Sequence, residues 1–178
     1  PEVSQEARTT QFLEALDGLN ANTFNASTPE EAISHVAGLL AGRAAIASNS
    51  PLLAELGIVS MPGVLSGVMD LETLREEAEV RPIGITSADY ALADTGTLVM
   101  LASVAEARLV SLLPPIHIAL VPREKLLSGL DELLERVPKP AAVSSSMVLI
   151  TGPSRTADIE QILVRGVHGP GELHVVLL

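Results

Sequence analysis

The chain of 178 residues has no cysteine and no tryptophan, and its phenyl and phenol rings come from two phenylalanines and one tyrosine. Because it has no thiolate, it lacks the usual ligands of an iron–sulfur cluster or a cysteine-bound zinc ion. With so few flat rings, it offers little surface on which a nucleobase or a flavin could stack. We therefore expect no directly bound cofactor, and an aliphatic core built from Ala, Leu, Val and Ile.

Positive charge is also scarce, since 11 Lys and Arg residues stand against 22 Asp and Glu residues, for a formal net charge of −11. Such a chain repels a phosphate backbone, so nucleic acid is not an expected partner. The longest apolar stretch, residues 109–122, is interrupted by prolines and His117 and is shorter than the ~20 residues of a membrane span. The first residues lack the basic start and apolar centre of a signal peptide. These features predict a cytoplasmic protein without a membrane span.

The pattern of apolar residues predicts alternating strands and helices. Helices are expected at residues 4–16, 29–40, 51–56, 71–78, 123–137 and 155–164. Strands are expected at residues 44–47, 58–61, 83–86, 97–101, 110–112, 116–121, 147–150 and 173–177. Continuous aliphatic strands alternating with helices indicate a largely parallel sheet in a three-layer α/β/α fold. We expect one such domain at residues 23–178, preceded by an N-terminal helical arm at residues 1–22.

Small and polar residues cluster in three runs, which we call the first run (residues 94–97), the second run (113–117) and the third run (152–160). Ligands of open parallel sheets bind beyond the carboxyl ends of the strands. The predicted elements place the three runs there. The sequence therefore predicts a site to which all three runs contribute.

Asp89 and Asp94 lie five residues apart, across an expected short helical turn. Two such carboxylates can act as acid and base, or as a nucleophile, when their surroundings separate their pKa values. Alternatively, each caps a helix or a turn. Thr95, Gly96 and Thr97 follow with two hydroxyls and an uncrowded backbone, which suit a closely approaching carboxylate or phosphate.

Arg108 precedes a predicted buried strand, so its charge should meet a partner. That partner is either a substrate carboxylate, bound by two parallel hydrogen bonds, or Asp94. His117 lies between two isoleucines, and on a strand its side chain points away from both. It is either a structural histidine bonded to backbone or a general base or ligand.

The third run predicts a Gly-Pro turn followed by the start of a helix. Gly152, Ser154, Arg155 and Thr156 would then bring N–H groups and hydroxyls to a helix start, which is an anion site. Capping alone also accounts for the hydroxyls. His168 follows in a glycine-rich loop and is a further candidate ligand-binding residue. The four histidines, at positions 35, 117, 168 and 174, lack short ligand spacing, so no metal site is predicted.

Together, these motifs resemble those of the lactate utilization protein C family. The resemblance rests on residues 84–89, 95–97, 113–118, 152–160 and 166–170, and is specific from about residue 82 onward. It implies a LUD domain with a NagB/RpiA/CoA-transferase-like fold. It also implies a role in oxidising L-lactate to pyruvate beside two iron–sulfur partner proteins, which alone carry clusters. Relatives commonly have Glu before the Thr-Gly-Thr triplet, where this chain has Asp94.

Three functions remain open from the sequence. The first is a component of an L-lactate oxidation system that binds a small anion, namely lactate, pyruvate, CoA or a phosphate compound. The second is a stand-alone enzyme that acts on a CoA thioester or a sugar phosphate through Asp94 or Asp89. The third is a non-catalytic accessory subunit whose aliphatic surface recruits the cluster-bearing partners.

Overall fold

The computed structural model of the chain describes residues 4–103, 108–159, 162–165 and 169–178. The α-helices are α1 (Gln5–Gly18), α2 (Pro29–Leu40), α3 (Pro51–Glu55), α4 (Leu71–Val80), α5 (Arg108–Leu112), α6 (Leu130–Arg136) and α7 (Pro140–Val143). The strands are β1 (Asn22–Asn25), β2 (Ala45–Ala47), β3 (Val64–Leu65), β4 (Ile83–Ser87), β5 (Tyr90–Leu92), β6 (Thr97–Leu101), β7 (Ile116–Val121), β8 (Leu126–Leu127), β9 (Met147–Thr151), β10 (Arg155–Ile159), β11 (Ile162–Arg165) and β12 (Glu172–Leu177). Short 3-10 helices lie at Ile58–Ser60 and Arg123–Lys125.

A six-stranded sheet forms the centre of the fold, in the order β1-β12-β7-β4-β2-β3. Every neighbouring pair in it is parallel. The aliphatic runs of β4 and β7 are buried along nearly their whole length. Strands with few polar residues are what burial on both faces requires.

Helices cover both faces of this sheet. On one face, α2 and α3 place Val36 and Leu53 in a core with Ile118 of β7. On the other face, Leu74 of α4 packs in a smaller cluster with Ile46 of β2. The predicted three-layer α/β architecture with a largely parallel sheet is therefore confirmed.

A second sheet, which the sequence did not predict, shares the face with α4 and α5. Its order is β8-β5-β6-β9, with β6 antiparallel to β5 and β9 and with β5 parallel to β8. Leu98 of β6 and Val175 of β12 pack in one core with Phe12 and Leu16. Helix α1, which lies in the segment assigned to the N-terminal arm, thus contributes two fully buried side chains to the core between the sheets.

Side-chain capping marks the start of α2. The hydroxyl of Thr28 accepts the N–H of Glu31 at 3.3 Å, and the Glu31 carboxylate accepts the N–H of Ser27 at 2.7 Å. Pro29 occupies the first turn, where its missing N–H has no intrahelical partner to lose. The capping residues therefore account for the position at which α2 begins.

The predicted helix at residues 155–164 is wrong, because residues 155–159 and 162–165 form two paired antiparallel strands. Arg155 of β10 pairs with Arg165 of β11, and Thr156 pairs with Val164. The β-branched residues at positions 156, 159, 162 and 164 favour strands, and this preference outweighs the cap-like serine and threonine. With no helix start after Gly152, the expected anion site of helical N–H groups does not form.

Four other local predictions are also wrong. The predicted strand at residues 110–112 is helix α5, and the predicted strand at 58–61 is a 3-10 helix. The predicted helix at 123–137 is divided into a 3-10 helix, β8 and α6, because the chain is fully extended at Gly129. The expected helical turn between Asp89 and Asp94 contains β5. β5 pairs with β6 and β8, so contacts with distant residues decide the structure of that segment.

Among the residues described, no helix has the length and apolar character needed to cross a lipid bilayer.

Candidate functional site

A cavity of about 310 Å³ lies between the amino ends of β7 and β12, helix α5 and the end of β9. We call it the His117 pocket. His117 from the second run and Gly152, Ser154 and Arg155 from the third run line it. The other lining residues are Ser111, Leu112, Val148, Leu149, Ile150, Thr151, Pro153, Gly169, Pro170 and Leu173. Two of the three runs therefore meet at one mostly apolar cavity.

The His117 pocket lies at the amino ends of the parallel strands, whereas the sequence predicted a site at their carboxyl ends. His117 is the second residue of β7, in register with Gly84 of β4 and Leu173 of β12. The second run introduces β7 and does not follow a parallel strand. The prediction that all three runs lie beyond the carboxyl ends of the parallel strands is therefore wrong for this run.

His117 is 1% exposed, and its Nε2 atom lies 2.8 Å from the Thr86 hydroxyl oxygen, which is also buried. Its Nδ1 atom has no hydrogen-bond partner among the described residues. Burial lowers the pKa of His117 from 6.5 to about 4, so the ring is neutral at physiological pH. A neutral ring bears one N–H, and whether Thr86 donates or accepts decides which nitrogen bears it. The ring can therefore offer either a donor or an acceptor at Nδ1.

Arg155 is the cationic residue among those that line the His117 pocket. Its side chain is exposed, and its Nη2 atom donates to the carbonyl oxygen of Leu19 at the end of α1. The N–H of Ser154 donates to the Pro170 carbonyl at 2.8 Å. Gly152 adopts a φ of +82°, and a Cβ there would lie 3.0 Å from Cβ of Leu19. The turn before β10 is thus packed against α1 and holds Arg155 beside the pocket.

The first run connects to the pocket through hydroxyl groups and does not line it. The Thr97 hydroxyl lies 2.8 Å from those of Thr95 and Thr151, and the Thr95 hydroxyl donates to Asp94 at 3.2 Å. Of this chain of groups, Thr151 belongs to the lining residues. Gly96 has a φ of +64° and lies against the backbone of α1. The first run, with Thr95, Gly96 and Thr97, therefore contacts the pocket only indirectly, through the hydroxyl of Thr151.

The predicted catalytic carboxylates lie outside this pocket. Asp94 lines a separate cavity with Ser128, Gly129, Leu130, Asp131, Glu132 and Glu135. Asp89 lies at the carboxyl ends of the parallel strands, between β4 and β5. The structure therefore separates both carboxylates from His117.

The remaining predicted residues are placed as follows. Arg108 begins α5 with an exposed side chain, its carbonyl accepts the Ser111 hydroxyl at 3.0 Å, and within the described segments it forms no ion pair with Asp94. Thr156 of β10 pairs with Val164 of β11. His168 and the end of the third run, at position 160, lie outside the described residues. Where the chain is described, no group of three or more His, Asp or Glu side chains is arranged to hold a metal ion.

Thr86, Ser111 and Thr151 also belong to the site, although the sequence predicted no role for them. Thr86 carried the clearest signal, since it is a polar residue inside an aliphatic strand, and such a residue needs a buried partner. Ser111 and Thr151 carried no comparable signal. Their positions depend on α5 and on the pairing of β9 with β6, which the local pattern did not predict.

The chain is similar to a known protein family over nearly its whole length. The model of the LUD domain matches residues 9–178 of this chain. Lactate utilization protein C of Halalkalibacterium halodurans is 39% identical over 149 residues, which cover 79% of this chain and 65% of that protein. The protein of the same name from Bacillus subtilis is 38% identical over 107 residues, covering 58% and 45%. The chain thus spans less than two thirds of the length of these curated relatives.

The fold is also similar to that of a solved structure over nearly the whole chain. The crystal structure of a DUF162 family protein from Deinococcus radiodurans superposes with a TM-score of 0.76, covers 99% of each chain and shares 20% sequence identity. At this level of identity the match establishes the fold alone, and it agrees with the three-layer α/β architecture.

Proposed function

This chain belongs to the LUD domain family, and we propose that it is a component of an L-lactate utilization system that binds a small 2-hydroxy or 2-oxo acid in the His117 pocket. The names of the curated relatives support the first part of the proposal. The observation that carries the second part is the buried Nδ1 atom of His117, which has no hydrogen-bond partner among the described residues, in a residue that lines the same cavity as Arg155.

The chemistry of the pocket suits such an acid. The Arg155 guanidinium can bind a carboxylate through two parallel hydrogen bonds. The neutral imidazole of His117 can donate to a 2-oxo oxygen or accept from a 2-hydroxyl group. The apolar remainder of the wall accommodates a short alkyl group, and about 310 Å³ is at the small end of ligand cavities. The site therefore favours a small monocarboxylate over a molecule as large as CoA.

The oxidation of L-lactate to pyruvate releases two electrons and two protons. Since the chain has no cysteine, we assign the electrons to iron–sulfur partner proteins and expect no cofactor bound directly to this chain. His117 would orient the acid by accepting a hydrogen bond from its 2-hydroxyl group, because burial keeps the ring neutral and disfavours full transfer of the proton to it. This assembly would act in the cytoplasm.

Calorimetric titration of the purified chain with L-lactate and pyruvate tests the binding site. We expect saturable binding that weakens about tenfold or more in Arg155→Ala and His117→Gln, which corresponds to at least about 1.4 kcal/mol. Arg75→Ala is the matched control, since Arg75 is exposed on α4 and pairs with Glu79. Binding that is absent in the wild type, or equally strong in all variants, would exclude the His117 pocket as the acid site.

Growth of the host tests the wider role. Deletion of the gene should abolish growth on L-lactate in a strain without another lactate oxidase, and the wild-type gene should restore it. Undiminished growth of the deletion strain would contradict a role in lactate utilization. If growth is lost but no acid binds the purified chain, the accessory-subunit role is favoured, and copurification of cluster-bearing proteins from host extract would support it.

A further inference from the structure

A second cavity, of about 400 Å³, lies at the ends of the parallel strands opposite to the His117 pocket. It follows the carboxyl ends of β2, β4 and β7, where open parallel sheets bind their ligands. Its polar lining residues are Ser50, Ser87, Asp89, Tyr90 and Lys125. We call it the carboxyl-end cavity. We propose that it binds a small anion that carries a hydroxyl group.

Two serines supply hydroxyls at neighbouring strand ends. The Ser50 and Ser87 hydroxyl oxygens lie 2.7 Å apart, one after β2 and the other at the end of β4. Ser50 is only 3% exposed, and its backbone precedes helix α3. When Ser87 donates to Ser50, the Ser50 hydroxyl keeps its own proton for a ligand oxygen, so the contact between the two serines is retained.

Lys125 supplies positive charge, which is scarce in this chain. It is one of only two lysines in a sequence with a formal net charge of −11. Its side chain is half-buried, and its Nζ atom lies 5.5 Å from the centre of the Tyr90 ring. An ammonium group that is partly removed from water attracts an anion more strongly than an exposed one. Lys125 therefore marks the position of the anionic end of the ligand.

Asp89 supplies an acceptor in the same cavity. Its Oδ2 atom accepts the N–H of Leu101 at 2.6 Å, which fixes the carboxyl group on the end of β6. Burial raises the pKa of Asp89, while the Leu101 N–H and the charge of Lys125 act in the opposite direction. An ammonium and a carboxyl group that line one cavity complement a ligand with an anionic end beside a hydroxyl. The anion then lies near Lys125 and the serines, and the hydroxyl donates to Asp89.

The carboxyl-end cavity is separate from the His117 pocket. His117 is at the start of β7, whereas Pro122, which lines the carboxyl-end cavity, follows the end of that strand. Five residues of extended chain span about 16 Å. A ligand in one cavity therefore does not contact the residues of the other, and variants can test the two sites independently.

Titration of the purified chain with glycerol 3-phosphate, inorganic phosphate and glycerol tests the proposal. We expect glycerol 3-phosphate to bind saturably, phosphate to bind more weakly, and glycerol not to bind at millimolar concentration. Lys125→Met should weaken both anions about tenfold or more, the loss expected when a partly buried charge loses its partner. Asp89→Asn should weaken glycerol 3-phosphate, which loses its hydroxyl acceptor, but should not weaken phosphate, from which it removes a repelling charge.

Two control variants make the result specific. Lys139→Met removes the other lysine, which is exposed, and should leave binding unchanged. Arg155→Ala alters the His117 pocket and should likewise have no effect. The proposal is overturned if neither anion binds the wild type, if Lys125→Met binds as well as the wild type, or if either control loses binding to the same extent. If Asp89→Asn does not fold, the proposal is tested by comparing anion binding between Lys125→Met and Lys139→Met.

Discussion

The hydroxyl oxygen of Thr86 lies 2.8 Å from Nε2 of His117, and this contact bridges the buried strands β4 and β7. It occupies one ring nitrogen and leaves Nδ1 without a partner in the described part of the chain. The orientation of the ring, and with it the direction of its second nitrogen, therefore depends on one hydroxyl group. We therefore expect Thr86 to act as a positioning residue for His117.

Replacement of Thr86 by Val should destabilise the fold by about 1–3 kcal/mol, because it leaves Nε2 of His117 buried without a partner. The side chains have similar size, so little of this loss comes from packing. Urea unfolding measures it. Thr86→Ser is the matched variant, since it keeps the hydroxyl and removes one methyl group. If the Val variant binds pyruvate as well as the Ser variant does, Thr86 has no positioning role.

The free energy of unfolding should decrease as the pH falls from about 7 to 4. Burial holds the pKa of His117 at about 4 in the folded chain, while in the unfolded chain it returns to 6.5. The unfolded chain therefore takes up a proton first, and acid favours it. The gap between the two pKa values corresponds to about 3 kcal/mol.

His117→Gln isolates this effect, because glutamine does not titrate. Asp89 acts in the opposite direction, since its pKa is raised by burial and its protonation therefore stabilises the folded chain as the pH falls. The pH dependence of the free energy of unfolding must therefore be compared between His117→Gln and the wild type. Identical slopes between pH 7 and 4 would show that His117 is not buried as a neutral ring.

Gly84→Ala should destabilise the chain by about 1–3 kcal/mol, the usual cost of overpacking. A Cβ there would overlap the carbonyl oxygen of Val110 and lie 3.0 Å from Cγ of Pro114. Backbone at the contact with α5 cannot move aside as a flexible side chain can. Gly38→Ala is the control, because nothing lies within 4 Å of the new Cβ and the site is exposed on α2. That variant should be more stable by up to about 1 kcal/mol. Thermal unfolding of the two variants should shift in opposite directions.

The hydroxyls of Thr97 and Thr151 should be coupled in a double-mutant cycle. Each single change to Val removes the contact between the two hydroxyls and leaves one of them in place, whereas the double change removes both groups at once. We therefore expect the double variant to be more stable than the sum of the single losses predicts, by about 0.5–1 kcal/mol. Thr97→Val should cost more than Thr151→Val, because the Thr97 hydroxyl also contacts Thr95. Strict additivity in urea unfolding would show that the hydroxyl contact does not contribute to stability.

The sequence predicted those elements whose structure depends on local chemistry or on burial on both faces. The capping residues before α2 and the aliphatic runs of β4, β7 and β12 are examples. Predictions were wrong where two structures fit the same pattern. Residues 155–164 combine cap-like and β-branched residues, and antiparallel pairing between Arg155 and Arg165 decides the outcome. The resemblance to the LUD domain is confirmed by the match over residues 9–178.

The candidate site could be predicted only in part, for a related reason. His117 and Ser154 stand out in the sequence because polar residues beside aliphatic strands need a partner or a function. Their common cavity depends on the position of β9, which pairs with β6 in a sheet that the sequence did not indicate. The roles of Asp89, Asp94 and Arg108 as site residues remain predictions, and the structure places all three outside the His117 pocket.

The strand order also affects how the chain folds. β12 lies between β1 and β7, so residues 22–25 have no neighbour in the parallel sheet until residues 172–177 take their place. Bringing these distant segments together costs chain entropy before their stabilising contacts form. Parallel sheets of this kind therefore fold slowly, on the order of milliseconds to seconds. Until then, the apolar edge of β7 is open to pairing with other chains. Refolding yield should therefore fall as protein concentration rises, even though the native sheet covers that edge.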